Sequence, residues 1–231
     1  MVDSCILIFV KLPEKGSVKT RLAKDLGRNF VLALYGNFVF DMLETLAKAN
    51  LPIIVYFYPP ESGAAVSRWL GGNYLYVSQN GSDLGERMKN AFKDAFERGF
   101  SRAVIIGSDI PDLKISILDM AFNSLHANDM VVGPSVDGGY YLIGFRHNSF
   151  LPEVFKGISW GMDTVLKDTL KILREKNYKA YFLPELRDVD TIEDLKALYE
   201  RNKDTAFANS RTMKFLSKNL EKTIPAPGKT Y

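Results

Sequence analysis

Short, continuous apolar runs recur along the chain, and they constrain its fold more than any other feature. They predict buried strands near residues 4–10, 52–58, 103–107 and 130–133. A run without polar alternation is typical of a strand covered on both faces, as in a parallel sheet. Because stretches of helical periodicity separate these runs, the sequence predicts an α/β protein with three α/β/α layers around a mostly parallel mixed sheet.

Further segments complete this pattern and suggest where the domain ends. Shorter strands are predicted at 74–77, 140–145 and 179–183, and helices at 20–26, 30–49, 62–70, 84–96, 115–127, 164–175 and 192–201. We expect one domain over residues 1–203. Residues 204–231 are expected to hold an amphipathic helix over 205–221 and a loosely ordered tail. Met213 and Phe215 are expected to dock on the domain or on a second copy of the chain.

Composition excludes several classes of protein. The 231-residue chain has one cysteine, Cys5, and a formal charge of +3 from 30 basic and 27 acidic side chains. A single cysteine excludes an internal disulfide and a Cys-rich zinc site, and it favours a cytoplasmic location. The charge excess is too small to indicate a nucleic-acid partner. The apolar runs at 5–10 and 51–58 are too short to span a bilayer, so no membrane span is expected.

A basic loop over residues 11–22 follows the first predicted strand. It holds Lys11, Lys19 and Arg21, and Gly16 would let the backbone approach a ligand closely. Cationic side chains beside a helix that starts near Thr20 are what a polyphosphate requires. The alternative is a solvated basic loop, since neither the GxxxxGK[ST] nor the GxGxxG spacing is present.

Ser108 and Asp109 follow the predicted strand at 103–107, at the edge where ligands bind in parallel α/β sheets. A carboxylate at this place suits Mg²⁺, which takes one or two carboxylates together with substrate phosphates. The alternative is that Asp109 caps the next turn or helix, a role that Asp112 fits better.

Asp137, Gly138 and Gly139 stand between two strand-like runs and precede Tyr140. An Asp-Gly-Gly segment at such a place predicts a hairpin turn, which is the structural interpretation. The functional alternative is that the glycines admit a ligand while Asp137 holds a hydroxyl group or assists a metal.

Asp188 and Asp190 precede the predicted helix at 192–201, for which Thr191 is the expected N-cap, with Asp194 three residues on. Acidic residues also stabilise a helix start electrostatically, so a purely structural role stays open for both.

Another polar loop, residues 79–87, leads into the predicted helix at 84–96 and contains Gln79 and Arg87. Ser82 is the expected cap of that helix. Arg87 is placed to reach a phosphate or an acceptor.

Four motifs carry a resemblance to a known family. They are Lys19-Thr20-Arg21-Leu22, Gly107-Ser108-Asp109-Ile110-Pro111, Asp137-Gly138-Gly139-Tyr140-Tyr141-Leu142 and Asp188-Val189-Asp190-Thr191. In this order the chain resembles, over roughly residues 4–200, a bacterial and archaeal family. That family is grouped with 2-phospho-lactate guanylyltransferase and the molybdenum-cofactor nucleotidyltransferases. The resemblance implies the nucleotide-diphospho-sugar transferase fold, called GT-A.

The resemblance also implies roles for particular residues. Asp109 and Asp190 would bind Mg²⁺ or Mn²⁺, Lys11, Lys19 and Arg21 would hold the phosphates, and Gln79 would lie toward the base. From the motifs themselves we add Gly16, Thr20, Arg87 and Ser108 as expected nucleotide contacts, and Asp137, Gly138, Gly139 and Tyr140 as expected acceptor contacts. The expected catalytic residues are Asp109, Asp137 and Lys19.

Two departures from the family bear on the reaction. The glycine-rich N-terminal loop usual in the nucleotidyltransferases is replaced by Lys11-Leu12-Pro13-Glu14-Lys15-Gly16, and no Asp-x-Asp stands at Asp109. We therefore expect a metal-dependent transferase that uses a nucleotide or nucleotide-sugar donor and a small-molecule acceptor, with a glycosyltransferase-like reaction placed first. The alternatives are a guanylyltransferase-like nucleotidyltransferase and a non-catalytic nucleotide-binding module. A homodimer is a further expectation.

Overall fold

The computed structural model describes residues 3–14, 18–72 and 74–219. Its described residues form two compact units, each drawn from several stretches of the chain. The first unit takes residues within 1–12, 45–107 and 114–187, and the second takes residues within 13–44, 108–113 and 188–231.

The first unit contains a seven-stranded sheet. Its strands are β1 (Ser4–Lys11), β2 (Ile53–Tyr58), β3 (Leu75–Ser78), β4 (Arg102–Ile106), β5 (Met130–Pro134), β6 (Tyr140–Arg146) and β7 (Ala180–Phe182). Their order in the sheet is β3-β2-β1-β4-β6-β5-β7. Only β6 runs antiparallel to its neighbours, whereas the other neighbouring pairs are parallel. The predicted α/β class with a mostly parallel mixed sheet is therefore confirmed.

Four helices belong to this first unit: α3 (Gly63–Leu70), α4 (Leu84–Glu97), α5 (Ile115–Ser124) and α6 (Val165–Glu175). Alternate residues of β1, such as Leu7, pack in one buried cluster with Phe92 of α4 and Leu173 of α6. A strand that is covered in this way carries the unbroken apolar run seen in the sequence.

The second unit is helical. It contains α1 (Thr20–Leu26), most of α2 (Arg28–Ala47), α7 (Ile192–Asn202) and α8 (Arg211–Lys218). A separate apolar core joins these helices, formed by Leu22, Val31, Leu34, Phe38, Val189, Leu195, Leu198, Met213 and Leu216. α8 docks because the buried carboxylate of Asp41 accepts hydrogen bonds from the backbone N–H groups of Arg211 and Thr212, at 2.9 and 2.8 Å.

Helix α2 is long and apolar enough to cross a membrane by length and composition, which the sequence analysis overlooked. Half of its apolar window is nevertheless buried inside the protein, where Leu34 and Phe38 are almost fully enclosed. Burial of this kind is typical of the core helix of a globular unit. The expected cytoplasmic location stays a prediction.

Most predicted elements agree with the structure within two residues, but several predictions near the helix ends are wrong. The segment predicted as one helix over 205–221 is a 3-10 turn over Ala206–Asn209 followed by α8, because Ser210 is extended and caps α8. Ser82 does not cap α4, since Asp83 accepts the hydrogen bond from the Glu86 N–H. Asp112 does not cap α5, because its carboxylate binds Arg201 and Asn202.

The C-terminal part of the sequence is only partly described. Met213 lies in the core of the second unit, which confirms that it docks on the body of the protein. The predicted tail over 223–231 lies outside the described residues. The division at residue 203 stays a prediction.

Candidate active site

Lys19, Asp109 and Asp190 form a charged cluster within the second unit. The ammonium nitrogen of Lys19 lies 2.6 Å from Oδ1 of Asp109 and 2.6 Å from Oδ1 of Asp190. The Lys19 side chain is only 5% exposed, whereas the two carboxylates are 45% and 41% exposed. The predicted convergence of Asp109 and Asp190 is confirmed, although 81 positions separate them in the sequence.

Backbone hydrogen bonds hold the two acidic segments side by side. The N–H of Val189 donates to the carbonyl of Asp109 at 3.0 Å. Asp194 then fixes the second segment, because its carboxylate accepts from the backbone N–H groups of Asp190 and Thr191. Thr191 and Asp194 form the predicted capping box of α7, which is confirmed. The helix start therefore presents Asp190 in a defined position.

Lys19 itself has an unusual backbone conformation. It stands directly before α1 with φ 47° and ψ 49°, in the left-handed region. A non-glycine residue in this region costs free energy, and such residues concentrate at functional sites. Since the side chain of Lys19 is also buried against two acids, we interpret the conformation as one that directs its ammonium group into the cluster.

The electrostatics of the cluster keep Lys19 charged. Burial by itself lowers the pKa of the Lys19 ammonium, but the adjacent charges and hydrogen bonds of Asp109 and Asp190 outweigh it. The pKa of Lys19 is therefore raised above its ordinary value. A lysine that stays protonated at neutral pH can neutralise phosphate or carboxylate charge, and it is unsuited to act as a general base or a nucleophile.

The two carboxylates suit a divalent ion in their chemistry. Both are hard oxygen donors, and their exposure leaves each one able to turn an oxygen outward. Within the described ranges, no group of three His, Cys, Asp or Glu side chains is arranged to hold a metal ion. This donor set fits Mg²⁺ or Mn²⁺ held by two carboxylates together with phosphate oxygens, rather than in a cage made by the protein alone. The metal assignment stays a prediction.

The other predicted nucleotide contacts of the second unit differ in their accessibility. Thr20 and Arg21 are exposed at the start of α1. Ser108 is buried, and its hydroxyl lies 2.9 Å from the hydroxyl of Tyr35. Ser108 is therefore already engaged inside the protein. Gly16 lies outside the described residues.

Gln79 belongs to the first unit and is buried at the ends of two strands. Its amide nitrogen donates to the carbonyl of Tyr56 at 2.9 Å and to that of Val10 at 3.3 Å. These bonds hold β1 and β2 together at their carboxyl ends, beside exposed Lys11. A contact of Gln79 with a base would have to use its side-chain oxygen, because the amide donors are engaged.

Arg87 is fixed at the same edge of the sheet. Its guanidinium lies 4.0 Å from the ring centroid of Tyr58, and its Nε donates to the carbonyl of Gly81 at 3.2 Å. Gly81 has φ +147°, and a Cβ on it would lie 2.8 Å from the backbone nitrogen of Arg87. A cation held over an aromatic ring loses little further freedom when it binds an anion, so Arg87 remains a candidate phosphate contact.

The Asp137–Tyr140 segment is the predicted hairpin turn between β5 and β6. The Asp137 side chain is exposed and accepts from the Gly139 N–H at 3.0 Å. Gly138 has φ +87°, and a Cβ on it would lie 2.0 Å from the carbonyl oxygen of Asp163, so it serves the fold directly. The hydroxyl of Tyr140 is buried, which raises the pKa of its phenol and removes it from contact with an acceptor.

Three residues that the sequence analysis did not assign support these positions. Tyr35 engages Ser108, Tyr58 lies under Arg87, and Trp160 packs edge-to-face on Tyr140 with 6.3 Å between the ring centroids. The sequence signal that could have identified Trp160 is its place before a glycine, in a loop between two predicted elements. Tyr35 lies within a predicted helix, and no local pattern distinguishes it.

Comparison with known proteins places the chain among transferases. A crystal structure from Desulfovibrio desulfuricans G20, described provisionally as a nucleotide-diphospho-sugar transferase, is 43% identical and has a TM-score of 0.93. The match covers 96% of this chain and 97% of that one. A nucleotidyl transferase from Methanothermobacter, 12% identical with a TM-score of 0.57 and coverage of 86% and 96%, shares the fold.

The sequence is also similar to a curated enzyme. The 2-phospho-L-lactate guanylyltransferase of Methanocaldococcus vulcanius is 26% identical over 205 residues, which cover 87% of each chain. The expected enzyme class, a transferase, is thereby confirmed. Residues 42–162 match a family described as "Uncharacterized protein conserved in bacteria (DUF2064)". This match spans more than half of the sequence, and the chain therefore belongs to that family.

Proposed function

We propose that the protein is a nucleotidyltransferase, which transfers a nucleoside monophosphate from a nucleoside triphosphate to a small-molecule acceptor. The observation that carries this proposal is the similarity to a guanylyltransferase over 87% of both chains. It favours nucleotidyl transfer over the glycosyl transfer that the sequence analysis placed first. The charged cluster around Lys19 supplies the groups that such a reaction needs.

In this reaction an oxygen of the acceptor attacks the α-phosphorus of the donor. A bond forms between that oxygen and the α-phosphorus, the bond to the α–β bridging oxygen breaks, and pyrophosphate leaves with the electron pair. Negative charge builds on the phosphate oxygens, so fixed positive groups aimed at them lower the barrier. The Lys19 ammonium, charged and only 5% exposed, is one such group.

Asp109 and Asp190 would hold a divalent ion together with the donor's phosphates. Such an ion supplies charge neutralisation and orientation at the phosphates when it is bound. Lys19 already compensates part of the charge of both acids. We therefore expect the free protein to bind Mg²⁺ weakly and the nucleotide to strengthen that binding.

Glycosyl transfer from a nucleotide-sugar is the second candidate. It is supported by the 43% identical protein from Desulfovibrio desulfuricans G20, which is described as a nucleotide-diphospho-sugar transferase. In that reaction the acceptor attacks a sugar carbon, and a nucleoside diphosphate leaves. The two reactions therefore release different products.

The product released distinguishes the two reactions. The purified protein is incubated with Mg²⁺, a panel of phosphate and hydroxyl acceptors, and either the four nucleoside triphosphates or a panel of nucleotide-sugars. We expect pyrophosphate from one or more triphosphates and no acceptor-dependent nucleoside diphosphate from the nucleotide-sugars. Nucleoside diphosphate from a nucleotide-sugar, without pyrophosphate from any triphosphate, would establish the glycosyl reaction instead.

A further inference from the structure

We propose that a pocket at the amino edge of the sheet binds a phosphate group, either as free phosphate or as part of a small phosphorylated molecule. The pocket lies within the first unit and has a volume of about 440 Å³. This volume is in the range of small-molecule sites, about 300–1,000 Å³. We call it the arginine pocket, and the polar side chains that line it include Arg102, Arg146, His126, His147, Ser101 and Asn148.

The arginine pocket lies at the opposite edge of the sheet from Lys11 and Gln79. Asp3, which also lines the pocket, directly precedes Ser4 at the start of β1, and β1 ends at Lys11. β4 begins with Arg102 itself. Because β1 and β4 are parallel, their amino ends share one edge of the sheet. A ligand in the arginine pocket therefore occupies a site separate from the predicted nucleotide contacts of this unit.

Two arginines of the pocket stand opposite each other in the sheet. Arg102 of β4 pairs with Arg146 of β6 in antiparallel register. Like charges at such a cross-strand position are destabilising. Asp3 and Asp129 offset part of this repulsion, because Arg102 and Arg146 donate to them at 2.8 and 2.9 Å. An anion that contacts both guanidinium groups would offset the repulsion that remains.

Each arginine is oriented by an acid and keeps N–H groups for a ligand. Nη2 of Arg102 binds both oxygens of Asp3, and Nη2 of Arg146 binds Oδ1 of Asp129. Nη1 of Arg102 lies 2.7 Å from Nε2 of His126. The buried Nε of Arg146 has no hydrogen-bond partner within the described ranges. Because a guanidinium has five N–H donors, both groups can still bind phosphate oxygens.

The neighbouring polar groups favour a phosphate over a single carboxylate. The ring of His147 is held by stacking on Phe96, with 5.2 Å between the ring centroids, and its backbone N–H donates to the carbonyl of Ser101 at 2.8 Å. The side chain of Asn148 is exposed. A phosphate offers more oxygens and more negative charge than a carboxylate, so it can accept from both arginines and from these neighbours together.

The histidine rings provide a direct measurement, because the chain has two histidines and both line the arginine pocket. Protein labelled with ¹³C in histidine is titrated with inorganic phosphate, glycerol 3-phosphate or acetate, at fixed pH and ionic strength, without Mg²⁺ or nucleotide. We expect both ring signals, assigned with His147→Gln, to move saturably with at least one phosphate probe and not with acetate. The probe that saturates at the lower concentration identifies the source of the phosphate group. Signals that stay fixed with both phosphates, or that move equally with acetate, would overturn the proposal.

A matched pair of arginine variants locates the binding. Arg146→Gln removes an arginine that is bound to an aspartate in the pocket, whereas Arg98→Gln removes one that is bound to Asp94 and does not line it. Because hydrogen bonds to a charged group are lost, we expect Arg146→Gln to weaken phosphate affinity by about tenfold or more, and Arg98→Gln to leave it unchanged. If Arg146→Gln does not fold, Asn148→Asp, which adds a negative charge to the pocket, is expected to weaken it as well. Wild-type affinity in the pocket variant would reject the site.

This proposal does not depend on nucleotidyl transfer. Phosphate can also bind at the charged cluster around Lys19, so the histidine titration is repeated with Lys19→Met. We expect the ring signals to respond as in the wild type. A response that is lost in Lys19→Met would assign the bound phosphate to the candidate active site and reject the arginine pocket.

Discussion

The ammonium group of Lys19 allows the carboxylates of Asp109 and Asp190 to lie close together. Two carboxylates that are brought together without a cation repel, and each then tends to hold a proton. Here one buried ammonium lies 2.6 Å from both, so the acids are held together before any ligand binds. An arrangement that is already formed loses little freedom when the ligand arrives, which favours binding of the donor's phosphates.

Arg21 offers the clearest residue-scale test of donor binding. Arg21→Ala removes an exposed cation two residues after Lys19, and Lys24→Ala removes another exposed cation from the same helix, α1. Because a hydrogen bond to a charged group contributes about 1.5–3 kcal/mol, we expect Arg21→Ala to weaken triphosphate binding by about tenfold or more. Lys24→Ala should change it little.

Isothermal titration calorimetry with the triphosphate that supports turnover measures both affinities, and thermal unfolding checks that both variants stay folded. An unchanged affinity in Arg21→Ala would mean that the basic loop is merely solvated, as the structural interpretation of the sequence had it.

Side chains whose role depends on a distant partner were the hardest to assign from the sequence. Asp109 and Asp190 were identified because each follows an apolar run or precedes a helix start. Their direct pairing with Lys19 spans up to 171 positions, and no local pattern encodes it. Asp112 was misassigned as a cap for the same reason, since its partners Arg201 and Asn202 lie 89 and 90 positions away.

At the scale of elements, the hairpin turn between β5 and β6 and the loop over 157–165 act as one packed unit. The carbonyl of Gly138 accepts from the Leu166 N–H at 2.9 Å, at the start of α6. A glycine is therefore needed at position 138 for two reasons: the backbone has a positive φ, and the carbonyl of Asp163 approaches closely. The turn that the sequence predicted from Asp-Gly-Gly is also the place where α6 is anchored.

A pair of glycine substitutions separates these two requirements. Gly138→Ala meets a backbone oxygen at 2.0 Å, whereas Gly157→Ala, at φ +72°, has no atom of the described residues within 4 Å of the added Cβ. We expect Gly157→Ala to destabilise the protein by about 1 kcal/mol, the cost of the left-handed backbone. Gly138→Ala should cost about 3 kcal/mol, because overpacking adds to it.

Denaturant unfolding of both variants at one pH measures the difference in the free energy of unfolding. Equal losses of unfolding free energy in the two variants would show that the turn relaxes and that the close approach of Asp163 adds nothing to the cost of Gly138→Ala.

The bounds of an element were predicted well where a single residue ends that element. Gly27 ends α1 with φ +80°, and the predicted bounds of that helix, 20–26, are confirmed. The C-terminal region was predicted less well, because its apolar periodicity continues across Ser210. The Ser210 cap and the docking of α8 on Asp41, 170 positions away, fix where that helix begins.

At the scale of the whole molecule, the fold was predictable because buried parallel strands leave unbroken apolar runs. Four such runs coincide with β1, β2, β4 and β5. The grouping of residues into two units was not predictable in the same way. The second unit collects stretches as distant as 13–44 and 188–231, and it does so through a core that includes Leu22, Val189 and Met213.

Asp109 and Asp190, held by Lys19, are the residues that we propose to serve nucleotidyl transfer. Asp109→Asn and Asp190→Asn keep the shape of each side chain and remove its charge, and Asp25→Asn makes the same change at an exposed position of α1. The measurement is kcat/KM for Mg²⁺-dependent pyrophosphate release from the triphosphate. We predict losses of about 10²-fold or more for the first two variants, as when one transition-state electrostatic contact is removed, and no loss for Asp25→Asn. Wild-type pyrophosphate release by Asp109→Asn would contradict the account.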